Sequence, residues 1–162
     1  MRGRIAALVA AAVFVADQVT KGMILSAFDG EGSGRSKILI PNFFSLTYVR
    51  NRGGAFGFLS DMPAVWRETF FIVFAIGTVA LLVWMLRKTP VEDIVQRLAL
   101  TLVIGGAAGN LYDRIRYGEV IDFLDVYVRN WHWPAFNVAD SAITVGVALL
   151  VIGSLRTPKT ET

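Results

Sequence analysis

The sequence contains no cysteine and only one histidine, His132. Without cysteine there can be no disulfide bond, no thiolate nucleophile and no cysteine-ligated metal. A single imidazole also argues against a histidine metal site or a histidine-dependent catalytic triad. We therefore expect neither a metal nor a cofactor.

Charged residues are also scarce. They make up 18% of the 162 residues, whereas soluble domains carry about 25%. Hydrophobic residues make up 54%, and the mean hydropathy is +0.54. The net charge of +3 is too small to indicate nucleic-acid binding. This composition predicts a single-domain integral membrane protein that is mainly α-helical.

Apolar runs predict four transmembrane helices, at about residues 5–28, 67–88, 95–113 and 136–156. Each is close to the roughly 20 residues that cross a bilayer. The first run also resembles a cleavable signal peptide. However, Asp17 and Lys21 are four residues apart and can pair on one helix face, which favours a helix that stays in the bundle.

The segments between these runs differ in character. Residues 29–63 are rich in strand-forming residues, interrupted by Pro41 and Gly53-Gly54, and predict a small β-rich element outside the membrane. Residues 115–135 read as a mixed polar connector that ends in tryptophans suited to a membrane interface. Within the third helix, Gly105 and Gly109 predict close helix packing.

Four spans place both termini on one side of the membrane. Basic residues lie in short segments on that side, at Arg2, Arg4, Arg87, Lys88, Arg97, Arg156 and Lys159. Because basic residues concentrate in short cytoplasmic segments, we predict that both termini are cytoplasmic.

Polar side chains gather at the opposite end of the predicted bundle. Helical spacing places Asn110, Asp113 and Arg114 on one face, and likewise Asn137 and Asp140. Asp140 begins a run without charge up to Arg156. A carboxylate there is costly unless it faces protein or water, which makes it a candidate functional residue.

Two neighbouring carboxylates, one protonated and one ionised, can activate water and protonate a leaving amine. Asp140 has two candidate partners. Asp113 adjoins Arg114, which suits an ion pair, whereas the apolar neighbours of Asp122 would raise its pKa. Spacing alone does not choose between Asp113 and Asp122.

Two other classes of protein fit part of this pattern. A proton-coupled transporter also needs intramembrane carboxylates, but it predicts polar residues across the whole membrane, and the second helix is entirely apolar. A non-catalytic assembly factor predicts that Asp122 and Asp140 tolerate asparagine.

Five stretches carry a resemblance to a known family. They are Asp17-Gln18-Val19-Thr20-Lys21, Tyr48 to Gly57, Gly105 to Arg114, Gly118-Glu119-Val120-Ile121-Asp122-Phe123 and Trp133 to Asp140. In content and order the chain resembles lipoprotein signal peptidase, the bacterial type II signal peptidase family. One departure is Gly53-Gly54, where members often have one glycine followed by alanine.

The resemblance implies an aspartyl endopeptidase of the bacterial inner membrane, with its site near the outer-leaflet interface. It implies cleavage of a lipid-modified prolipoprotein just before the diacylglyceryl cysteine, and inhibition by globomycin-type cyclic peptides. The family's catalytic pair falls on Asp122 and Asp140, and Asp17 with Lys21 forms a structural pair. Supporting positions in the site fall on Asn51, Asn110, Asp113, Arg114 and Asn137.

Overall fold

The structure, a computed structural model, describes residues 1, 3–28, 33–53, 59 and 61–156, without the side chain of Arg156. Several residues named in the sequence analysis lie outside these ranges, namely Arg2, residues 29–32, Gly54, the rest of its motif through Gly57, and Lys159.

Four long helices form the bundle: α1 (Gly3–Ala27), α2 (Ala64–Lys88), α3 (Ile94–Tyr117) and α4 (Val138–Arg156). All four are long and apolar enough to cross a membrane. The prediction of a mainly helical membrane protein with four spans and a small β element is confirmed.

Two helix boundaries differ from the sequence prediction. α2 begins at Ala64, directly after Pro63, rather than near residue 67. α3 continues to Tyr117 instead of ending near residue 113. It ends where Gly118 adopts φ 72° and donates its backbone N–H to the Arg114 carbonyl at 3.0 Å, a left-handed cap that favours glycine.

The β element is a four-stranded antiparallel sheet. Its strands are β1 (Ser36–Ile40), β2 (Phe44–Asn51), β3 (Val120–Val128) and β4 (Trp131–His132), in that order across the sheet. The connector predicted at residues 115–135 therefore contains two strands, β3 and β4, which the sequence analysis did not assign. The near-continuous apolar run at Val120–Val128 is buried on both sides, so it lacks the alternation that marks a half-exposed strand.

A hydrophobic cluster joins the sheet to the bundle. Its buried members are Ile24, Phe28, Tyr48, Ile121 and Phe123. They come from the end of α1 and from both central strands. This cluster fixes β3, and the residues on it, against the ends of the helices.

Glycines bring α1 against α3, as the small-residue spacing predicted. A Cβ on Gly105 would lie 2.8 Å from the Ala10 carbonyl oxygen, and one on Gly109 would lie 2.5 Å from a carboxylate oxygen of Asp17. Such contacts leave no room for a side chain, so the helices approach closely only because both positions are glycine.

At the other end of the bundle, Arg97 is buried rather than free. It donates to the carbonyls of Leu86 at 2.9 Å and Thr89 at 2.6 Å. These carbonyls belong to the last turn and C-cap of α2, which lack helical partners. Arg97 therefore closes the turn between α2 and α3.

Candidate active site

The central strand β3 carries Asp122 at the end of the bundle. Asp122 pairs with Val49 in the β2–β3 register, so Asn51 is its diagonal neighbour on the same face. The Asn51 amide donates to Asp122 Oδ2 at 2.9 Å, while its carbonyl oxygen accepts the Gly53 backbone N–H at 3.1 Å. Asn51 thus closes a turn and holds one oxygen of the carboxylate.

Asn137 and Asp140 cap the start of α4 reciprocally. The side-chain oxygen Oδ1 of Asn137 accepts the Asp140 backbone N–H at 2.8 Å, and Asp140 Oδ2 accepts the Asn137 backbone N–H at 3.2 Å. This is the geometry of a capping box, in which two residues three apart satisfy each other's backbone N–H groups. The spacing that placed them on one face therefore also starts the helix.

Asn137 also reaches the second carboxylate. Its amide donates to Asp122 Oδ1 at 2.8 Å and to the Ile121 carbonyl at 3.2 Å. The start of α4 lies beside β3 because Phe136 exchanges backbone hydrogen bonds with Leu124 of that strand. A single asparagine, fully buried, therefore contacts both Asp122 and Asp140.

Both aspartates line one cavity of about 320 Å³. Asn51, Asn110 and Arg114 supply the rest of its polar wall. The remaining wall is mostly apolar and comes from α2, α3, α4 and the start of β3, with Phe71, Phe74, Ala75, Val103, Ala107, Val120 and Ile143. The carboxylates thus face a space whose remaining wall is mostly apolar.

Burial raises the pKa of Asp122 from an ordinary 3.8 to about 7, and the nearby charge of Asp140 adds to this shift. The direction agrees with the expectation from its apolar neighbours. Asp122 is 2% exposed, so water stabilises its ionised form poorly. At neutral pH the carboxyl is poised between its two protonation states.

A chain of polar contacts supports Asp140 from the third helix. Asn110 donates its amide N–H to Asp140 Oδ1 at 2.7 Å and accepts from Lys21 Nζ at 3.0 Å. Because Lys21 can only donate, the Asn110 oxygen must face it and the amide must face Asp140. The buried lysine therefore fixes the orientation of this asparagine.

Lys21 lies between two buried carboxylates, at 2.8 Å from Asp17 and 2.7 Å from Asp113. Asp17 also accepts the Ala139 backbone N–H at 2.9 Å, and Asp113 accepts the Ile121 backbone N–H at 3.2 Å. The ionic group thereby joins α1, α3, α4 and β3. Asp113 is fully occupied by these partners and does not line the cavity.

Arg114 extends into the cavity from α3. Its Nη2 donates to the Gly53 carbonyl at 2.9 Å, and its guanidinium lies 4.0 Å from the centre of the Phe71 ring. Among the described residues its buried Nη1 has no hydrogen-bond partner. Arg114 thus lines the cavity and keeps one buried N–H donor group without a partner among the described residues.

Other polar residues near this end of the bundle do not line the cavity. Arg50 and Arg52 both contact Glu119, at 2.7 and 3.2 Å, and brace the ends of β2 and β3. Thr144 is exposed on α4. His132 lies on the sheet, 2.9 Å from Asp125.

Sequence reasoning gave no role to two residues of this region. Gln18 donates to Asp17 at 3.1 Å and to Asp113 at 3.0 Å, and its position inside the Asp17–Lys21 motif was the available signal. Glu119 binds Arg50 in β2 and Arg52 just after that strand, but nothing in its spacing indicates those partners.

The described residues contain no group of three or more histidine, aspartate or glutamate side chains arranged to hold a metal ion. The fold and the site together define an integral membrane protein with a pair of carboxylates facing one cavity at the end of its helix bundle.

Comparison with known proteins identifies the family within this class of membrane proteins. The family model described as "Signal peptidase (SPase) II" matches residues 9–156. The lipoprotein signal peptidase of Syntrophotalea carbinolica is 46% identical over 153 residues, covering 94% of this chain and 92% of the relative. That of Geobacter sulfurreducens is 48% identical over 142 residues, covering 88% and 86%. The chain therefore belongs to the signal peptidase II family.

A solved structure has the same fold as this chain. A bacterial membrane enzyme determined by the in meso method at 2.3 Å resolution superposes with a TM-score of 0.83 at 34% identity, covering 99% of this chain and 96% of the other. The similarity therefore extends over the bundle and the sheet together.

Proposed function

We propose that this chain is an aspartic endopeptidase that removes the signal peptide from diacylglyceryl-modified prolipoproteins, cutting just before the lipidated cysteine. Family membership supports the substrate class. The proposed chemistry rests on one observation: Asn137 contacts both Asp122 and Asp140, and these two carboxylates line one cavity.

The two carboxylates have different roles because one is protonated and the other is ionised. Asp122, with its raised pKa, holds the proton and donates a hydrogen bond to the scissile carbonyl oxygen. Asp140 is the base that takes a proton from the attacking water. The carbon–nitrogen bond then breaks, and the amine of the cysteine leaves with a proton from the pair.

The cavity walls suit a lipid-modified substrate. The phenyl rings of Phe71 and Phe74 line its α2 side, where the apolar signal segment or a lipid chain lies. Arg114 Nη1 supplies a donor for a backbone carbonyl of the substrate, and the sheet holds the chain beyond the cysteine.

We further propose that the chain forms one peptidase domain in the bacterial inner membrane, with both termini cytoplasmic. Arg87 and Lys88 in the exposed last turn of α2 support this orientation. The carboxylate pair then lies near the outer-leaflet interface. The same cavity accepts globomycin-type cyclic peptides, which offer a peptide backbone and an apolar tail.

The test is cleavage of a lipid-modified prolipoprotein by Asp122→Asn and Asp140→Asn. Asparagine keeps the shape but cannot exchange the proton, so each variant should lose about 10²–10⁴-fold in rate, the range of general acid–base catalysis. Asp125→Asn is the matched control, since it lies on the same strand, contacts Ser45 and His132, and does not line the cavity.

Membrane abundance of each variant is measured alongside, and unlipidated prolipoprotein serves as the substrate control. Full cleavage by either variant at normal abundance would refute the assignment. Equal cleavage of the unlipidated protein would refute the proposed substrate class.

A further inference from the structure

A second cavity lies between α1 and α3, at the same end of the bundle as the carboxylates. Its volume is about 460 Å³, and it shares no lining residue with the catalytic cavity. We call it the α1/α3 groove. It is lined by Phe14, Gly22, Leu25, Ser26, Tyr112 and Arg116, with four further residues.

Arg116 provides the positive charge of this groove. It follows Arg114 by two positions, so the two side chains leave opposite faces of α3. Arg114 enters the catalytic cavity, whereas Arg116 enters the groove. The function of the active site therefore does not account for Arg116.

Aromatic rings hold the Arg116 guanidinium in place. Its carbon lies 5.8 Å from the centre of the Tyr112 ring and 5.2 Å from that of Tyr117, and its Nη1 donates to the Tyr112 hydroxyl at 2.7 Å. Among the described residues no carboxylate lies within ion-pair distance of it. Lys21, which also lines the groove, is already neutralised by Asp17 and Asp113. Among the described residues that line the groove, Arg116 is thus the cation without an ion-pair partner.

The groove is open on the side that faces lipid. A Cβ on Gly22 would meet no atom within 4 Å, so this glycine forms the open floor. Phe14 and Tyr112 pack edge to face at 5.8 Å below it. The neighbouring Val19 and Ile115 are 55% and 63% exposed, as expected of side chains in contact with acyl chains.

We infer that the α1/α3 groove binds an anionic phospholipid from the leaflet at this end of the bundle. The lipid phosphate pairs with Arg116, because a guanidinium matches phosphate oxygens in geometry and charge. One acyl chain lies over Gly22 and along Phe14. Tyrosine at this level is typical of a membrane interface, which places Arg116 at the depth of the headgroups.

Native mass spectrometry of the detergent-solubilised protein tests this site. Dioleoylphosphatidylglycerol and dioleoylphosphatidylcholine are titrated separately, and the fraction of one-lipid adduct is measured. The anionic lipid should bind about fivefold more tightly, as expected for one arginine near an anionic headgroup. Arg116→Gln should abolish this preference, while Arg87→Gln, an exposed arginine at the other end of the bundle, should keep it.

Gly22→Leu separates the groove from a general effect of charge. Leucine fills open space and suits a helix better than glycine, so the variant should fold, yet it should lose the saturable adduct. Equal binding of both lipids, an unchanged preference in Arg116→Gln, or an undiminished adduct in Gly22→Leu would each overturn the proposal. So would displacement of the lipid by inorganic phosphate at equal concentration, which would indicate an anion site without a lipid groove. Peptidase activity is not the readout, so the result is independent of the proposed function.

Discussion

Asp122 is an acid whose protonation is set by burial more than by any single partner. Its amide donors, Asn51 and Asn137, favour the ionised form, but loss of water outweighs them and leaves the pKa at about 7. The carboxyl is therefore able to give and to take back a proton at neutral pH, which is what the proposed hydrolysis requires.

The pH dependence of cleavage follows from this shift. We expect kcat/KM to fall by about tenfold per pH unit above pH 7, because Asp122 then loses the proton that activates the carbonyl. A pH–rate profile with the lipid-modified substrate measures it. A profile that stays flat to pH 9 would contradict the role of Asp122 as the acid.

The same raised pKa has a consequence for stability. Between pH 3.8, the ordinary pKa of aspartate, and about pH 7, the folded protein keeps the proton on Asp122. The unfolded chain has released it over the same pH range. The contribution of Asp122 to the free energy of unfolding is therefore fully present below pH 3.8 and is lost as the pH rises through about 7.

We expect Lys21 to contribute more to stability than to the chemical step. Lys21→Ala leaves Asp17 and Asp113 buried without their counter-ion, which should lower the free energy of unfolding by about 3–5 kcal/mol. Thermal denaturation in detergent and rate per folded enzyme measure the two effects separately. The exposed Lys88→Ala is the control. Normal stability combined with no turnover would mean that Lys21 serves catalysis instead.

At the scale of elements, the site depends on how closely α1 approaches α3. Gly109 lets the Asp17 carboxylate reach the start of α4, and Gly105 lets the two backbones touch one turn below. The ionic group around Lys21 forms only at this separation, since its hydrogen bonds span three helices.

Adding one methyl group tests this packing. Gly105→Ala should lower the free energy of unfolding by about 1–3 kcal/mol, because the new Cβ overlaps the Ala10 carbonyl. Gly77→Ala is the matched control on α2, where a Cβ meets nothing within 4 Å; it should stabilise by up to about 1 kcal/mol. Equal effects of the two substitutions in thermal denaturation would contradict the packing argument.

At the scale of the whole molecule, polar groups concentrate at one end of an apolar bundle. α2 contributes only apolar side chains and Thr78 to the catalytic cavity. A transport path would need polar groups along the membrane, so this arrangement fits a reaction at one interface, in agreement with the peptidase family.

The proposed chemistry uses carboxylates and water, without a metal. We expect cleavage to keep its full rate after dialysis against a chelator. The described residues offer no cluster of metal-binding side chains, and the sequence has no cysteine. Strong inhibition that added zinc reverses would reveal a metal site that the carboxylate mechanism does not include.

The sequence by itself determined the four spans, because a membrane helix needs a long apolar run that local composition records directly. It also indicated polar residues that share a helix face, such as Asn110 and Arg114 on α3, which both line the cavity, since that follows from helical geometry. The choice of Asp122 over Asp113 came from family resemblance, and that assignment stays a prediction until the variants are measured.

Only the tertiary structure decided which faces meet. Lys21 reaches Asp113 as well as Asp17, and Asn137 reaches Asp122 on β3, a strand that the sequence did not reveal. Helical periodicity fixes neighbours within one helix, but contacts between elements depend on packing distance and strand register. For the same reason two arginines two residues apart, Arg114 and Arg116, enter different cavities. Residue type gave both the same charge, and their position around α3 gave each a different environment.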